Sequence, residues 1–391
     1  MRDRRGFLGA TLVLSALTLS SSGCKSSAEA PPAPDAWKVG SYLSLSGPET
    51  QFGVDTREGI ELGIDEVNRA GGAKGKPIKV LFEDDKSKPE ETNNKVLQLI
   101  DRDKVIALLG EVASGRSRVG GIAANKKHIP MITPSSTHPD ITQIGPFVFR
   151  VCFTDDVQGQ AGARFVVQTL GRKKVGLLYA IDDLYSSGLA KEFREEARRL
   201  GAEIVLEKSY LKSETNYTTY LNELRDAHPE AIYTPIYYTA MIPIARQAKA
   251  AGLKGDIFTG GDGWNAEELL KDAGEEMEGA YFTNHSAPDM PWPASQAFVK
   301  AYVERYHREP SALAATGYDA ARLLADAIGR SKDGSPESIR QAIQETKGFP
   351  GATGAITIDA NRNADKPVVI VQIKDRKFKY FGTVNEKSPA K

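Results

Sequence analysis

The 391 residues carry 51 Lys and Arg against 51 Asp and Glu, so no net field gathers nucleic acid or any other polyanion. With 40% hydrophobic residues, the chain is long enough to bury cores for two domains. The only cysteines are Cys24 and Cys152. Cys24 belongs to the leader described next, so Cys152 stands alone and a disulfide framework for the body is excluded.

The first element is a sorting signal, kept apart from the fold. Arg2, Arg4 and Arg5 precede a largely apolar run, Phe7 to Leu19, too short to cross a bilayer and suited to a signal core. Ser21-Ser22-Gly23-Cys24 resembles the lipobox of bacterial lipoproteins, with Ser21 where Leu is usual. This implies cleavage after residue 23 and acylation of Cys24. Arg4-Arg5-Gly6-Phe7-Leu8 also resembles the twin-arginine export motif, so folded export and general secretion both stay open. Residues 24–36 contain Pro31, Pro32 and Pro34 and form a semi-stiff tether. The expected location is extracytoplasmic, on a membrane by a lipid anchor.

From Trp37 the pattern alternates short apolar runs with amphipathic stretches. Val39–Leu45 reads as a strand. Ile60, Ile64 and Val67 then recur at helical spacing up to Gly71-Gly72. A strand at Ile78–Phe82, a helix opening at Pro89, and strands at Val105–Leu109 and Pro130–Thr133 with a helix between them follow. This βαβαβα succession predicts a parallel sheet covered on both faces. After Phe147–Phe153 the rhythm restarts. Strands are expected at Val175–Ala180, Ile204–Leu206, Ala231–Thr234 and Ile257–Thr259, with helices near 183–200, 217–227 and 239–251. Helices near 295–307 and 311–330 and short strands at Ala355–Ile358, Val368–Ile373 and Phe378–Thr383 close the chain. The predicted class is α/β, with two similar doubly wound lobes and a cleft between them.

Two apolar runs, Val105–Gly110 and Ile129–Thr133, end in small polar residues, Ser114 after the first and Ser135 and Thr137 after the second. In an open α/β sheet, ligands bind at the carboxyl ends of strands, and a helix N-terminus there attracts an anion. Ordinary N-caps and turns use the same residues, so this stretch alone leaves both roles open. Catalytic signatures are missing. The five histidines (His128, His138, His228, His285, His307) lack paired-ligand spacing, and no nucleophile elbow, phosphate loop or dinucleotide fingerprint is present. Asp84-Asp85 and Asp182-Asp183 read as turns and caps, Cys152 as a buried thiol. No enzyme activity, metal or cofactor is expected.

Over Trp37 to about Thr383 the chain is similar to type I solute-binding proteins of ABC transporters, in the leucine/isoleucine/valine-binding branch. The resemblance is carried by Leu45-Ser46-Gly47-Pro48 with Phe52-Gly53, Gly59 through Asn68 with Gly71-Gly72, Glu83-Asp84-Asp85, Met131-Ile132-Thr133-Pro134-Ser135, and Arg246 through Leu253. It implies two lobes joined by a multi-strand hinge, 37–154 plus 286–354 and 155–285 plus 355–385. It also implies a site. Ser114, Ser135 and Thr137 take the ligand carboxylate. Asp262, one methylene shorter than the family's Glu, takes the ammonium, and Asp155 is a second acid at the crossing between lobes. Tyr185, Tyr237 and Phe52 supply aromatic walls. Ala314 falls where the branch places Phe, which implies a roomier pocket; Trp264 fits either the mouth or its own lobe. The implied partners are an amino acid or related solute and the permease subunits of an importer, with a monomer as the default. A sensory protein for an amide, urea-like or aromatic solute shares these features, and an envelope hydrolase would need a nucleophile and base in the cleft.

Overall fold

In the computed structural model, which describes residues 35–384, strand and helix alternate through two successive runs. The leader at 1–23, Cys24 and the tether as far as Pro34 lie outside the described residues. The first run is β1 (Trp37–Leu43), α1 (Thr50–Arg69), β2 (Ile78–Asp84), α2 (Pro89–Leu97), β3 (Ala107–Leu109), α3 (Ser114–Lys126), β4 (Met131–Thr133), one helical turn α4 (Asp140–Gln143) and β5 (Val148–Arg150). The second is α5 (Asp155–Arg164), β6 (Lys174–Ala180), α6 (Leu184–Arg199), β7 (Glu203–Tyr210), α7 (Thr218–Asp226), β8 (Ala231–Thr234), α8 (Tyr238–Ala250), β9 (Phe258–Gly260), α9 (Glu267–Ala273) and β10 (Tyr281–Asn284). Then come α10 (Pro293–Tyr306), α11 (Ala312–Arg330), α12 (Pro336–Gln344), the pair β11 (Phe349–Gly351) and β12 (Gly354–Ile356), and finally β13 (Val368–Lys374) and β14 (Lys377–Val384).

Both runs fold the same way. The first sheet has the order β2-β1-β3-β4-β5, and every pairing is parallel. In the second, β7-β6-β8-β9-β10 repeats that order in parallel, and β13 and β14 extend it antiparallel beyond β10. The central strands are buried on both faces, as Val39, Leu43, Leu108 and Ile132 show in one sheet and Val175, Leu177 and Ile232 in the other. That is why they read as continuous apolar runs and not as alternating ones.

The chain crosses between the lobes three times: after β5, after β10 and between β12 and β13. After the second crossing α11 returns to lie on α1, and small residues allow the approach. A Cβ on Gly59 would stand 1.9 Å from the Ala314 carbonyl oxygen, and one on Gly317 2.5 Å from that of Thr56. Tyr302 and Tyr306 of α10 reach Glu58 of α1, Tyr306 through a hydrogen bond to its carbonyl at 2.9 Å.

The elements missed from sequence have physical reasons. α5 (DDVQGQAGAR) buries Gly159, Ala161, Gly162 and Ala163, so it has no apolar stripe to detect. α9 is two turns long. α12 did carry a signal: Ser335 caps it, accepting from the Ser338 N–H at 3.4 Å, with Pro336 in the first turn and Ile339, Ala342 and Ile343 on one buried face. β7 runs to Tyr210, four residues beyond the apolar core at Ile204–Leu206.

The α1–α11 contact yields a paired prediction. Gly59→Ala should destabilise the fold by about 1–3 kcal/mol, because the carbonyl facing it is backbone and cannot step aside. Gly329→Ala, on the exposed face of the same α11 with open space around it, should stabilise by up to about 1 kcal/mol through helix propensity. Urea unfolding of the two variants reads opposite shifts in midpoint.

Candidate functional site

The strand ends that face each other carry the polar groups. After β1 the chain turns through Leu45–Pro48 into α1, which presents Phe52; after β3 it presents Val112 and Ser114; after β4, Ser135 and Thr137. On the opposite lobe, Tyr185 follows β6, Tyr237 follows β8, and Asp262 and Gly263 follow β9. Together with Leu313 at the start of α11 they line a narrow cavity between the two sets of strand ends. The lobes touch around it. Tyr238 Oη donates to the Pro48 carbonyl at 3.1 Å, and the Phe52 ring lies 5.6 Å from Tyr237 and 4.9 Å from Tyr238.

The loops after β3 and β4 divide their hydroxyls into two sets. Thr133, Ser136 and Ser117 donate to the Glu111 carbonyl at 2.6, 3.2 and 2.8 Å, and Ser136 meets Ser117 at 2.6 Å. The buried Arg150 guanidinium clamps the same loop by donating to the Ser136 and His138 carbonyls at 2.6 and 2.7 Å. These groups hold the scaffold. Ser135 Oγ and Thr137 Oγ1 are buried with no protein partner. Ser114 Oγ accepts the His138 N–H at 3.3 Å, which leaves its own proton free to donate. Ser114 also opens α3, whose N-terminus has no side-chain cap, so the helix dipole adds to the attraction for an anion.

The opposing wall is acidic and aromatic. Tyr185 and Tyr237 stack with centroids 4.9 Å apart and planes within 5°. Tyr185 Oη donates to Asp262 Oδ1 at 3.0 Å and accepts the Gly263 N–H at 3.1 Å. Gln158 Nε2 donates to the same Oδ1 at 2.8 Å, and His285 Nε2 lies 3.0 Å from Oδ2.

Seven of the eight expected ligand residues therefore meet at one cavity. Asp155 does not line it. It is the first residue of α5, fully buried, its N–H bonded to the Thr137 carbonyl at 2.9 Å and its two carboxylate oxygens without a hydrogen-bond partner. Burial pushes its carboxyl well above the usual carboxylate range, against the downward pull of the neighbouring Thr137 hydroxyl. Ala314 is also displaced from the expected role. It packs into α1, and its neighbour Leu313 supplies the apolar wall. Trp264 belongs to its own lobe, fully buried with its indole N–H on the Thr234 carbonyl at 3.1 Å. Cys152 is a buried thiol pushed up to about 12 by burial. Asp84 and Asp183 are turn and cap groups: Asp84 takes the Leu45, Ser46 and Lys86 N–H groups, and Asp183 that of Ser186. Among the described residues no cluster of His, Cys, Asp and Glu is arranged to hold a metal ion. Sequence reasoning missed Gln158, His285 and Leu313. The strand-end rule that located Ser114 also locates His285, one residue beyond β10.

Paired lobes of identical strand order, with a solute-sized cavity between their carboxyl edges, describe one architecture. The family model for periplasmic binding proteins matches residues 36–377. The chain belongs to that family, in its type I, leucine/isoleucine/valine-binding branch. A leucine-binding protein from Thermotoga maritima is 34% identical, with a TM-score of 0.84 over 89% of this chain and 99% of that one. A branched-chain amino acid transporter substrate-binding protein from Streptococcus pneumoniae, solved with isoleucine, is 31% identical, with a TM-score of 0.84 over 90% and 99%. The leucine-, isoleucine-, valine-, threonine- and alanine-binding protein of Pseudomonas aeruginosa is 26% identical over 84% of this chain and 87% of its own. Members of the family are extracytoplasmic solute-binding proteins and not enzymes. No helix among the described residues is long and apolar enough to cross a membrane.

Beneath the α3 end of this periplasmic binding protein's cleft lies a buried ionic cluster. Arg116 donates to Glu49 at 2.6 Å and lies 3.2 Å from Glu111 and 3.5 Å from Asp85. One cation faces three acids. Burial raises the Glu111 carboxyl to about 7; attraction to Arg116 pulls it down, and Asp85 and Glu49 push it up further. A raised folded-state pKa means the folded protein holds the extra proton, so Glu111's contribution to stability is full below about pH 4.5 and is lost as pH rises to about 7. Denaturant unfolding of wild type and Glu111→Gln across that window should show a wild-type stability that falls with pH relative to the variant. Parallel curves would place Glu111's proton elsewhere.

Proposed function

We propose that this protein captures an α-amino acid, a branched-chain one included, between its lobes and delivers it to the permease subunits of an ABC importer. The observation that carries this reading is the division of hydroxyls. Ser117, Thr133 and Ser136 are spent on the scaffold, whereas Ser114, Ser135 and Thr137 face the cavity with bonding capacity to spare. Three donors at a helix N-terminus suit a carboxylate. Asp262 across the cleft suits an ammonium, and Phe52, Tyr185, Tyr237 and Leu313 suit an aliphatic side chain. The pneumococcal relative solved with isoleucine supports the same class.

In this reading the lobes comprise 37–154 plus 286–354 and 155–285 plus 355–385, the mature protein is a monomer, and acylated Cys24 tethers it to the membrane through residues 24–36. Ligand favours the closed arrangement because only that arrangement offers both walls at once.

Three measurements test this. Thermal unfolding of the purified protein against amino acids, amides and small organic acids should show a rise of several degrees with an amino acid, since ligand at about 100 times its Kd adds roughly 2.7 kcal/mol. A response confined to amides or simple acids sinks the amino-acid reading. Ser114→Ala should weaken binding of that amino acid by about 1–3 kcal/mol in calorimetry, and an unchanged affinity removes Ser114 from the site. In cells, Cys24→Ala should move the protein from the membrane to the soluble fraction without altering affinity. Retention on the membrane rules out the lipid anchor.

A further inference from the structure

We infer that His285 is a specificity-determining residue of this site: held uncharged, it fixes the Asp262 carboxylate while leaving that carboxylate's negative charge available to an ammonium group on the solute. This rests on the amino-acid reading above and adds to it the residue that sets the charge of the cleft.

The His285 ring is placed from several directions. β10 ends at Asn284, whose Oδ1 accepts the His285 backbone N–H at 2.9 Å. The ring is 2% exposed, lies against Phe153 with centroids 4.2 Å apart, and sets Nε2 3.0 Å from Asp262 Oδ2. Its other nitrogen, Nδ1, is buried without a partner in the protein. That asymmetry selects the tautomer. A doubly protonated ring would bury an Nδ1–H with nothing to accept it, whereas a neutral ring protonated at Nε2 donates to Asp262 and leaves only a lone pair unmatched.

Asp262 then receives three neutral donors and no cation: Gln158 and Tyr185 on Oδ1, His285 on Oδ2. A carboxylate offers about four lone-pair sites, so one on Oδ2 remains, on a residue that lines the cavity. The other ionisable groups around His285 do not cancel the charge. Burial raises the Asp155 carboxyl and the Cys152 thiol and holds the Tyr185 and Tyr233 phenols far above their usual range, and none of these groups is a cation. Lys366 is matched by Asp319 at 3.5 Å, and Arg150 is spent on backbone carbonyls. The cleft therefore keeps one negative charge while His285 is neutral and loses it when His285 takes a proton.

The test measures calorimetric affinity of the full-length wild type and His285→Gln for two probes, L-leucine and 4-methylpentanoate, which is leucine without its amino group. The range is about pH 5 to 8, where an ordinary imidazole changes charge. Wild-type affinity for leucine should fall with acidification, by up to about ten-fold per pH unit once the ring is protonated. His285→Gln donates from an amide that does not titrate, so its leucine profile should lack that fall whatever its affinity at the alkaline end. Glu111 also titrates in this window, but it contributes equally to both proteins and cancels in their difference. For 4-methylpentanoate, whose own carboxyl titrates at about pH 5, the two proteins should keep a constant affinity ratio across the range. Superimposable leucine profiles for wild type and His285→Gln overturn the proposal. Nitrogen-15 shifts of the His285 ring give a second reading without ligand: protonation at Nε2 alone supports it, and protonation at Nδ1 or at both nitrogens near pH 8 overturns it. Failure of wild type to bind leucine at any pH strikes the amino-acid reading instead, and the ring tautomer still decides the charge of the pair.

Discussion

Parallel strands end with their carbonyl edges on one side, and here two such edges are turned toward each other. In each lobe the order places the first strand of the run between its second and third, so the loops leaving those strands diverge and open a crevice at the switch point. β1, β3 and β4 deliver Phe52, Ser114, Ser135 and Thr137 to one side of the cleft; β6, β8, β9 and β10 deliver Tyr185, Tyr237, Asp262 and His285 to the other. No residue of the site lies far from a strand terminus in sequence, apart from Leu313. The rest of the chain acts on this geometry. α10–α12 cover the first lobe, and β13 and β14 complete the second, so that three crossings hold two rigid edges in register.

The two walls treat polarity differently. On the first lobe, a buried carbonyl takes hydroxyls that do not face the cleft and a buried arginine clamps the loop carbonyls, which fixes the loops that present the other hydroxyls. On the second, the acid at the cleft is held by an amide, a phenol and an imidazole and by no cation. A lysine or arginine in any of those three places would neutralise the charge. Desolvation dominates the buried acids: it outweighs Arg116 at Glu111 and raises the Asp155 carboxyl.

The strands and most helices were legible because buried parallel strands and amphipathic helices write their environment into hydrophobic periodicity. α5 was not, because Gly159, Ala161, Gly162 and Ala163 pack by being small. At the site, Ser114, Ser135 and Thr137 were legible as hydroxyls at strand ends, but their freedom from other partners was not. That depends on Ser117, Thr133 and Ser136 meeting one carbonyl in space. Asp155 reads in sequence as a crossing residue or a helix cap, and the structure places it at the start of α5, buried behind Thr137. Ala314 and Leu313 are adjacent, so a one-residue difference in helix phase decides which lines the cavity and which meets Gly59. No periodicity argument resolves a phase that finely. His285 carried no motif. Its role comes from β10 lying next to β9, and strand order is a tertiary fact.

Closure and binding are coupled by the same unspent groups. The direct contacts between lobes near the cleft are few: Tyr238 to the Pro48 carbonyl, Ala312 N–H to Asn265 Oδ1 at 2.8 Å, the Phe52 ring between two tyrosines, and the half-exposed Lys212 at 3.9 Å from Glu49. Neutral hydrogen bonds contribute about 0.5–1.5 kcal/mol each and an exposed ion pair less than about 1 kcal/mol. Against them, closure takes the Ser135 and Thr137 hydroxyls out of bulk water, at about 1–3 kcal/mol for each that finds no partner. A solute that accepts from the hydroxyls and donates to Asp262 removes the opposing term and spans both walls, which tips the balance toward the closed form. Selectivity for the solute and the drive to close thus come from one set of atoms.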